Sequence, residues 1–100
     1  MRLTEEQQRQ IQRIVQAQLG NTAVVSVFGS RIDDAKRGGD LDLLIESDVP
    51  VPLLQRAALK IELESVLALP VDLVITEPGK ALSSFQSLAK ARARRLPEAS

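Results

Sequence analysis

Val25-Ser26-Val27-Phe28-Gly29-Ser30-Arg31, followed after a polar stretch by Gly38-Gly39-Asp40-Leu41-Asp42-Leu43-Leu44-Ile45, reads as two strands joined by a loop. The first run is apolar and β-branched, too short for a helix, and consistent with a buried strand over 23–28. The second strand, over 40–46, opens with two aspartates one residue apart. Strand side chains alternate faces, so Asp40 and Asp42 share one side while Leu41, Leu43 and Ile45 share the other. Two carboxylates held side by side on a rigid strand repel each other unless a cation lies between them. Hard divalent ions such as Mg²⁺ are held in this way, by one or two carboxylates together with phosphate oxygens. An exposed edge strand that alternates polar and apolar residues would also explain the pair, with the carboxylates simply solvated.

Outward from this segment, the chain alternates helix and strand. Thr4 to Leu19 is predicted as a helix: Thr4 and Gln7 have capping-box spacing, Glu5 and Glu6 suit the positive end of the helix dipole, and Ile11, Ile14, Val15 and Leu19 form one apolar stripe. Gly20-Asn21 stops it. Within the loop over 29–39, residues 30–36 have room for a turn or two of helix. Pro52 to Leu67 is predicted as a second long helix that buries Leu54, Ala57, Ala58 and Ile61, ended by Leu69-Pro70. Val71 to Thr76 is a third strand. Lys80 to Arg95 is predicted as a final helix with Leu82, Phe85, Leu88 and Ala89 on its apolar side, and residues 97–100 as a frayed tail. The order predicts an α+β (α/β) fold: a small mixed β-sheet of at least three strands with helices packed on it.

Composition narrows the chemistry. The 100 residues suit one domain, and 44% hydrophobic residues suffice for a core. Cysteine and histidine are both absent, which excludes disulfides, thiolate metal sites and the commonest general base. Catalysis must then rest on carboxylates, hydroxyls, Lys or Arg, and metal. Thirteen basic residues balance thirteen acidic ones, which argues against nucleic acid as a direct ligand. Between Gly79 and Leu96, however, every charge is basic: Lys80, Lys90, Arg92, Arg94 and Arg95. The simpler reading of these is a solvated face with cations suited to a helix C-terminus. A docking surface for an acidic partner is the sharper one. The N-terminus has no signal-peptide apolar region and no run is long enough to span a bilayer; the expectation is a cytoplasmic protein that does not engage membranes.

Asp72 interrupts the otherwise apolar third strand at an alternating position. A charge inside a buried strand is costly unless paired or metal-bound, which makes Asp72 the natural third member beside Asp40 and Asp42; the position just after Pro70-Val71 also suits an exposed strand start. Gly29 lets the backbone approach a ligand, and Ser30 and Arg31 offer amides, a hydroxyl and a cation to an anion. Ser30 also suits a helix cap. Lys36 and Arg37 are weaker phosphate candidates, and Glu46 and Glu77 read as surface residues.

Phe28-Gly29-Ser30-Arg31, a polar spacer, then Gly39-Asp40-Leu41-Asp42-Leu43-Leu44 resembles the signature of the DNA polymerase β-like nucleotidyltransferase superfamily. In length the chain is most similar to the minimal nucleotidyltransferase (MNT) domains, with a motif core over 23–76 and a C-terminal helix over 80–95. The resemblance implies the nucleotidyltransferase fold in a single domain over 1–100. It implies transfer of a nucleoside monophosphate, AMP from ATP foremost, to a hydroxyl, with two Mg²⁺ or Mn²⁺ ions and release of pyrophosphate. Carried over by position, Gly29, Ser30 and Arg31 would bind the nucleotide, and Asp40, Asp42 and Asp72 would hold metal, with Asp72 also assisting deprotonation of the acceptor. MNT proteins resemble the antitoxin half of HEPN/MNT pairs, so the implied acceptor is a helical HEPN-type protein. The alternative is a non-catalytic MNT-like antitoxin that neutralises its partner by binding alone. Self-association through the free side of the sheet or the final helix stays open.

Overall fold

The computed structural model describes residues 3–28 and 41–96. The expectations for Gly29, Ser30, Arg31, Lys36, Arg37 and Asp40, for a short helix over 30–36, and for the tail over 97–100 lie outside the described residues.

Helix α1, Glu5–Leu19, begins where its side chains supply the hydrogen bonds that its first turn lacks. Thr4 Oγ1 accepts from the Gln7 amide at 3.0 Å, and the Gln7 side chain accepts from the Thr4 amide at 2.9 Å. Gly20, at φ 94°, ends the helix in a conformation that favours glycine. Strands β1, Val24–Phe28, and β2, Leu41–Glu46, pair antiparallel. Helix α2, Leu53–Leu67, carries the chain back to β3, Val71–Thr76, which pairs parallel to β2; a parallel pair requires such a crossover. Helix α3, Ser84–Arg92, leads into a two-residue strand, β4, Arg94–Arg95, antiparallel to β1. The sheet order is β3-β2-β1-β4, so β2 lies inside the sheet and not at its edge.

One face of the sheet carries the main core. Val25, Val27, Leu41, Leu43, Ile45, Val71 and Ile75 pack there against Ile11, Ile14, Val15 and Leu19 of α1 and Leu59, Leu63 and Leu67 of α2. The other face has a smaller cluster, Phe28, Leu44 and Ala89, by which α3 seats on the sheet. Lys90 of α3 also pairs with Glu46 of β2 at 3.1 Å.

Two expectations fail on the helices. The stripe expected to be buried on α2 faces outward: Leu54 is 84% and Ile61 66% exposed, and Ala57 and Ala58 are exposed too. The buried side is Leu59, Leu63 and Leu67. The helix offers two apolar stripes, and the one made of three leucines removes more apolar surface from water than one containing two alanines. Hydrogen bonds fix that choice: Gln55 Nε2 donates to the Gln18 carbonyl at 2.9 Å, and Glu64 accepts from the Val71 amide at 2.8 Å. On α3, only Ala89 of the expected apolar side is buried. The helix begins at Ser84, not at Lys80, because Ser83 and Gln86 form a capping box. It ends before Arg94, whose backbone pairs with β1 instead.

Candidate active site

The register of the sheet sets the site. Phe28, the last residue of β1, lies opposite Asp42 of β2, and Asp42 lies opposite Asp72 of β3. Directly opposed residues point to the same face, so the three side chains form a row across neighbouring strands, spaced by about 4.8 Å. The row lies at one end of the sheet, where the chain leaves β1 for residues 29–40 and returns into β2. Alternation along the strands puts Leu44 and Val74 behind the row, on the face covered by α3.

Asp72 is 54% exposed, so burial does not account for it, contrary to the argument from its apolar neighbours. Its register does. It stands beside a second carboxylate, and like charges directly opposed across strands are destabilising. Lys60 of α2 approaches Asp72 at 4.0 Å and Glu64 at 3.9 Å, a long and exposed arrangement of the kind that contributes little. Among the described residues no cluster of three potential metal ligands occurs. Asp42 and Asp72 alone still provide paired hard oxygen donors a strand spacing apart, which is the donor chemistry that Mg²⁺ takes.

Two clefts open beside the row. The larger, about 470 Å³, is lined by Asp42, Asp72, Arg56, Lys60, Leu53 and Phe85 among others. The smaller, about 300 Å³, is lined by Phe28, Asp42, Phe85, Leu88, Ala89 and Arg92 among the described residues. Phe85 and Phe28 meet edge to face, with centroids 6.2 Å apart and planes at 71°.

Glu77 was missed as more than a surface group. Its side chain is 10% exposed. It accepts from the Val51 amide at 2.8 Å and pairs with Lys80 at 3.3 Å and Arg56 at 3.6 Å. The Val51 hydrogen bond, followed by that from Lys80 and the two positive charges, holds its carboxyl below the usual glutamate value. Through Arg56 it reaches the wall of the larger cleft. Phe85, expected in the core, and Arg92, expected at a solvated helix end, instead line the clefts. The available signal was the capping box at Ser83 and Gln86, which fixes where α3 starts and hence which residues meet the sheet.

A family model described as a nucleotidyltransferase domain matches residues 8–95. No curated protein matches the chain. Among solved structures, it is similar to a chain from the complex of tri-AMPylated Shewanella oneidensis HEPN toxin with MNT antitoxin. The TM-score is 0.73 at 18% identity, covering 97% of this chain and 74% of that one. A toxin–antitoxin structure with AMP-PNP gives a TM-score of 0.75 at 19% identity, over 92% of this chain and 73% of the other. A mutant of the toxin–antitoxin MntA-HpeT gives 0.75 at 17% identity, with the same coverage. At such identities the likeness is one of fold, and the three helices and mixed four-stranded sheet of the described residues match it.

Proposed function

Because the chain belongs to the nucleotidyltransferase domain family, we propose that it transfers a nucleoside monophosphate, AMP from ATP foremost, to a hydroxyl on a partner protein, and that Asp42 and Asp72 stand at the reacting centre. The observation that carries this reading is the register of the sheet: two carboxylates from neighbouring parallel strands on one face, at the end where Phe28 runs into Gly29-Ser30 and Asp40 precedes β2. Phosphoryl and nucleotidyl transfer call for positioning and neutralisation of charge more than for covalent chemistry by the protein.

Asp42 and Asp72, with Asp40 two residues before Asp42, would hold Mg²⁺ or Mn²⁺, which when bound neutralises phosphate charge and orients the triphosphate. Gly29, Ser30 and Arg31 would bind the triphosphate. In the transfer, the acceptor oxygen bonds to the α-phosphorus as the bond from that phosphorus to the bridging oxygen breaks, and pyrophosphate leaves. The hydroxyl proton passes to Asp72, whose exposure leaves it accessible to an incoming chain.

The acceptor class follows from what the surface leaves uncovered. Leu53, Leu54 and Ile61 of α2 are more than half exposed. Exposed apolar groups in such number suit a covering protein. The structural neighbours named as MNT antitoxin with HEPN toxin support a HEPN-type protein in that place.

The test is label transfer from ATP to a candidate HEPN-type partner in the presence of Mg²⁺. The wild-type chain is expected to label the partner, and Asp42→Asn and Asp72→Asn each to reduce labelling at least about a hundredfold. Stable binding of the partner with no labelling from any nucleoside triphosphate would replace this reading with an antitoxin that acts by binding alone.

A further inference from the structure

We propose that the smaller cleft is the subsite for the base and ribose of the donor nucleotide, with Phe85 as the platform on which the base stacks. The inference rests on the reading of Asp42 and Asp72 as the reacting centre and adds to it the place of the nucleoside.

Three observations carry it. The chain contains only two aromatic residues, Phe28 and Phe85; both line this cleft and the larger one, so they mark the wall that the two clefts share. Phe28 is 7% exposed and belongs to the core, while Phe85 is 58% exposed and rests edge to face upon it. An aromatic ring left open to solvent but steadied by a second ring beneath it suits a flat ligand, since every base has a π-face to stack.

The second observation is how the carboxylates divide between the clefts. Asp42 lines both, whereas Asp72 lines only the larger one. The α-phosphorus must sit where the two clefts meet, because donor and acceptor share that atom in the transfer. The acceptor hydroxyl belongs on the side of Asp72, which takes its proton. The nucleoside then belongs on the side without Asp72, between Phe85, Leu88 and Ala89.

The third is the chemistry of the rim. Arg92, in the last turn of α3, lines the same cleft. A guanidinium donates only, so it suits ring nitrogens, carbonyl oxygens and ribose hydroxyls. Stacking on one ring with one donor group favours purines over pyrimidines by contact area and separates adenine from guanine weakly.

The chain has no tryptophan or tyrosine, so Phe85→Trp installs a single indole reporter on the platform. The full chain is titrated with ATP and, separately, with inorganic tripolyphosphate, each with Mg²⁺. ATP is expected to quench the indole saturably. Tripolyphosphate is expected to displace ATP without quenching. By calorimetry, Phe85→Ala should weaken ATP binding about tenfold and leave tripolyphosphate binding unchanged. Arg92→Gln should weaken ATP binding by a smaller factor, again without effect on tripolyphosphate. ATP binding with no quenching, or undiminished ATP affinity in Phe85→Ala, would overturn the proposal and assign Phe85 to partner docking. Equal losses for both ligands would overturn it in favour of a structural role for the ring. If the wild-type chain bound neither ligand, the nucleotidyltransferase reading itself would fall, and this one with it.

Discussion

Glu77 ties together segments that no strand or helix joins. Its carboxylate takes the Val51 amide at the approach to α2, the Lys80 ammonium beyond β3, and the Arg56 guanidinium on α2 itself. A carboxyl whose folded pKa is lowered contributes stability that is fully present above the unfolded glutamate value of about 4.3. That stability is lost as pH falls through the lower folded value. Melting curves at several pH values should therefore show Glu77→Gln below the wild type at neutral pH, with the gap closing as pH falls through the acid range. A gap that stays constant down to pH 3 would mean that the ionised form is not what the fold uses. The same residue shows why single positions resist reading from sequence. Glu77 follows a strand and precedes Pro78-Gly79, a context that normally means solvent; its partners are at Arg56 and Val51, distant in the chain.

Element by element, α2 separates what periodicity can decide from what it cannot. Its outward face makes a sharp prediction. Leu63→Ala should cost about 2–5 kcal/mol in chemical denaturation, because Leu63 is fully buried. Leu54→Gln and Ile61→Gln should each change stability by less than about 0.5 kcal/mol, since both side chains stand in solvent. The reverse order would restore the stripe expected from the sequence. That stripe was a fair inference, for Leu54, Ala57, Ala58 and Ile61 do recur at helical spacing. What the spacing omits is that Leu59, Leu63 and Leu67 recur as well, and only packing against α1 and the sheet chooses between them. Helix α1 posed no such choice: one stripe, one capping box and one stop glycine agree. Strands β1, β2 and β3 were legible for the same reason, as was the alternation that places Asp42 opposite the core-facing residues. That Asp42 and Asp72 stand directly abreast was not legible, because register is a property of two strands together. Helix α3 was read too long because Ala93, Arg94 and Arg95 suit a helix locally, and nothing local reveals that β1 has an unpaired edge for them to fill.

Taken as a whole molecule, the fold divides its labour between the two faces of one sheet. The face under α1 and α2 holds most of the apolar core, while the face under α3 is thinly covered and keeps the carboxylate row and both clefts open. No helix among the described residues is long and apolar enough to cross a membrane. One consequence of the two-arginine strand β4 concerns how copies of the chain behave toward one another. The formal charge of the chain is zero at neutral pH, so no overall repulsion keeps neighbouring molecules apart. Whatever discourages two sheets from zipping together along this margin must act at the margin itself. A second copy approaching antiparallel would set its own Arg94 and Arg95 against the first pair, and short, charged edge strands are a known guard against such joining. Heating the Arg94→Thr/Arg95→Thr double variant at micromolar concentration should then give earlier and stronger light scattering than the wild type. Raising the salt to 1 M, where screening acts within about 3 Å, should bring the wild type toward the variant. Equal scattering at low salt would remove the guard from these two residues and leave β4 as a simple clasp. On this account the smallest element of the fold, a pair of guanidiniums on an edge, would act as the local guard that a chain of zero net charge lacks overall.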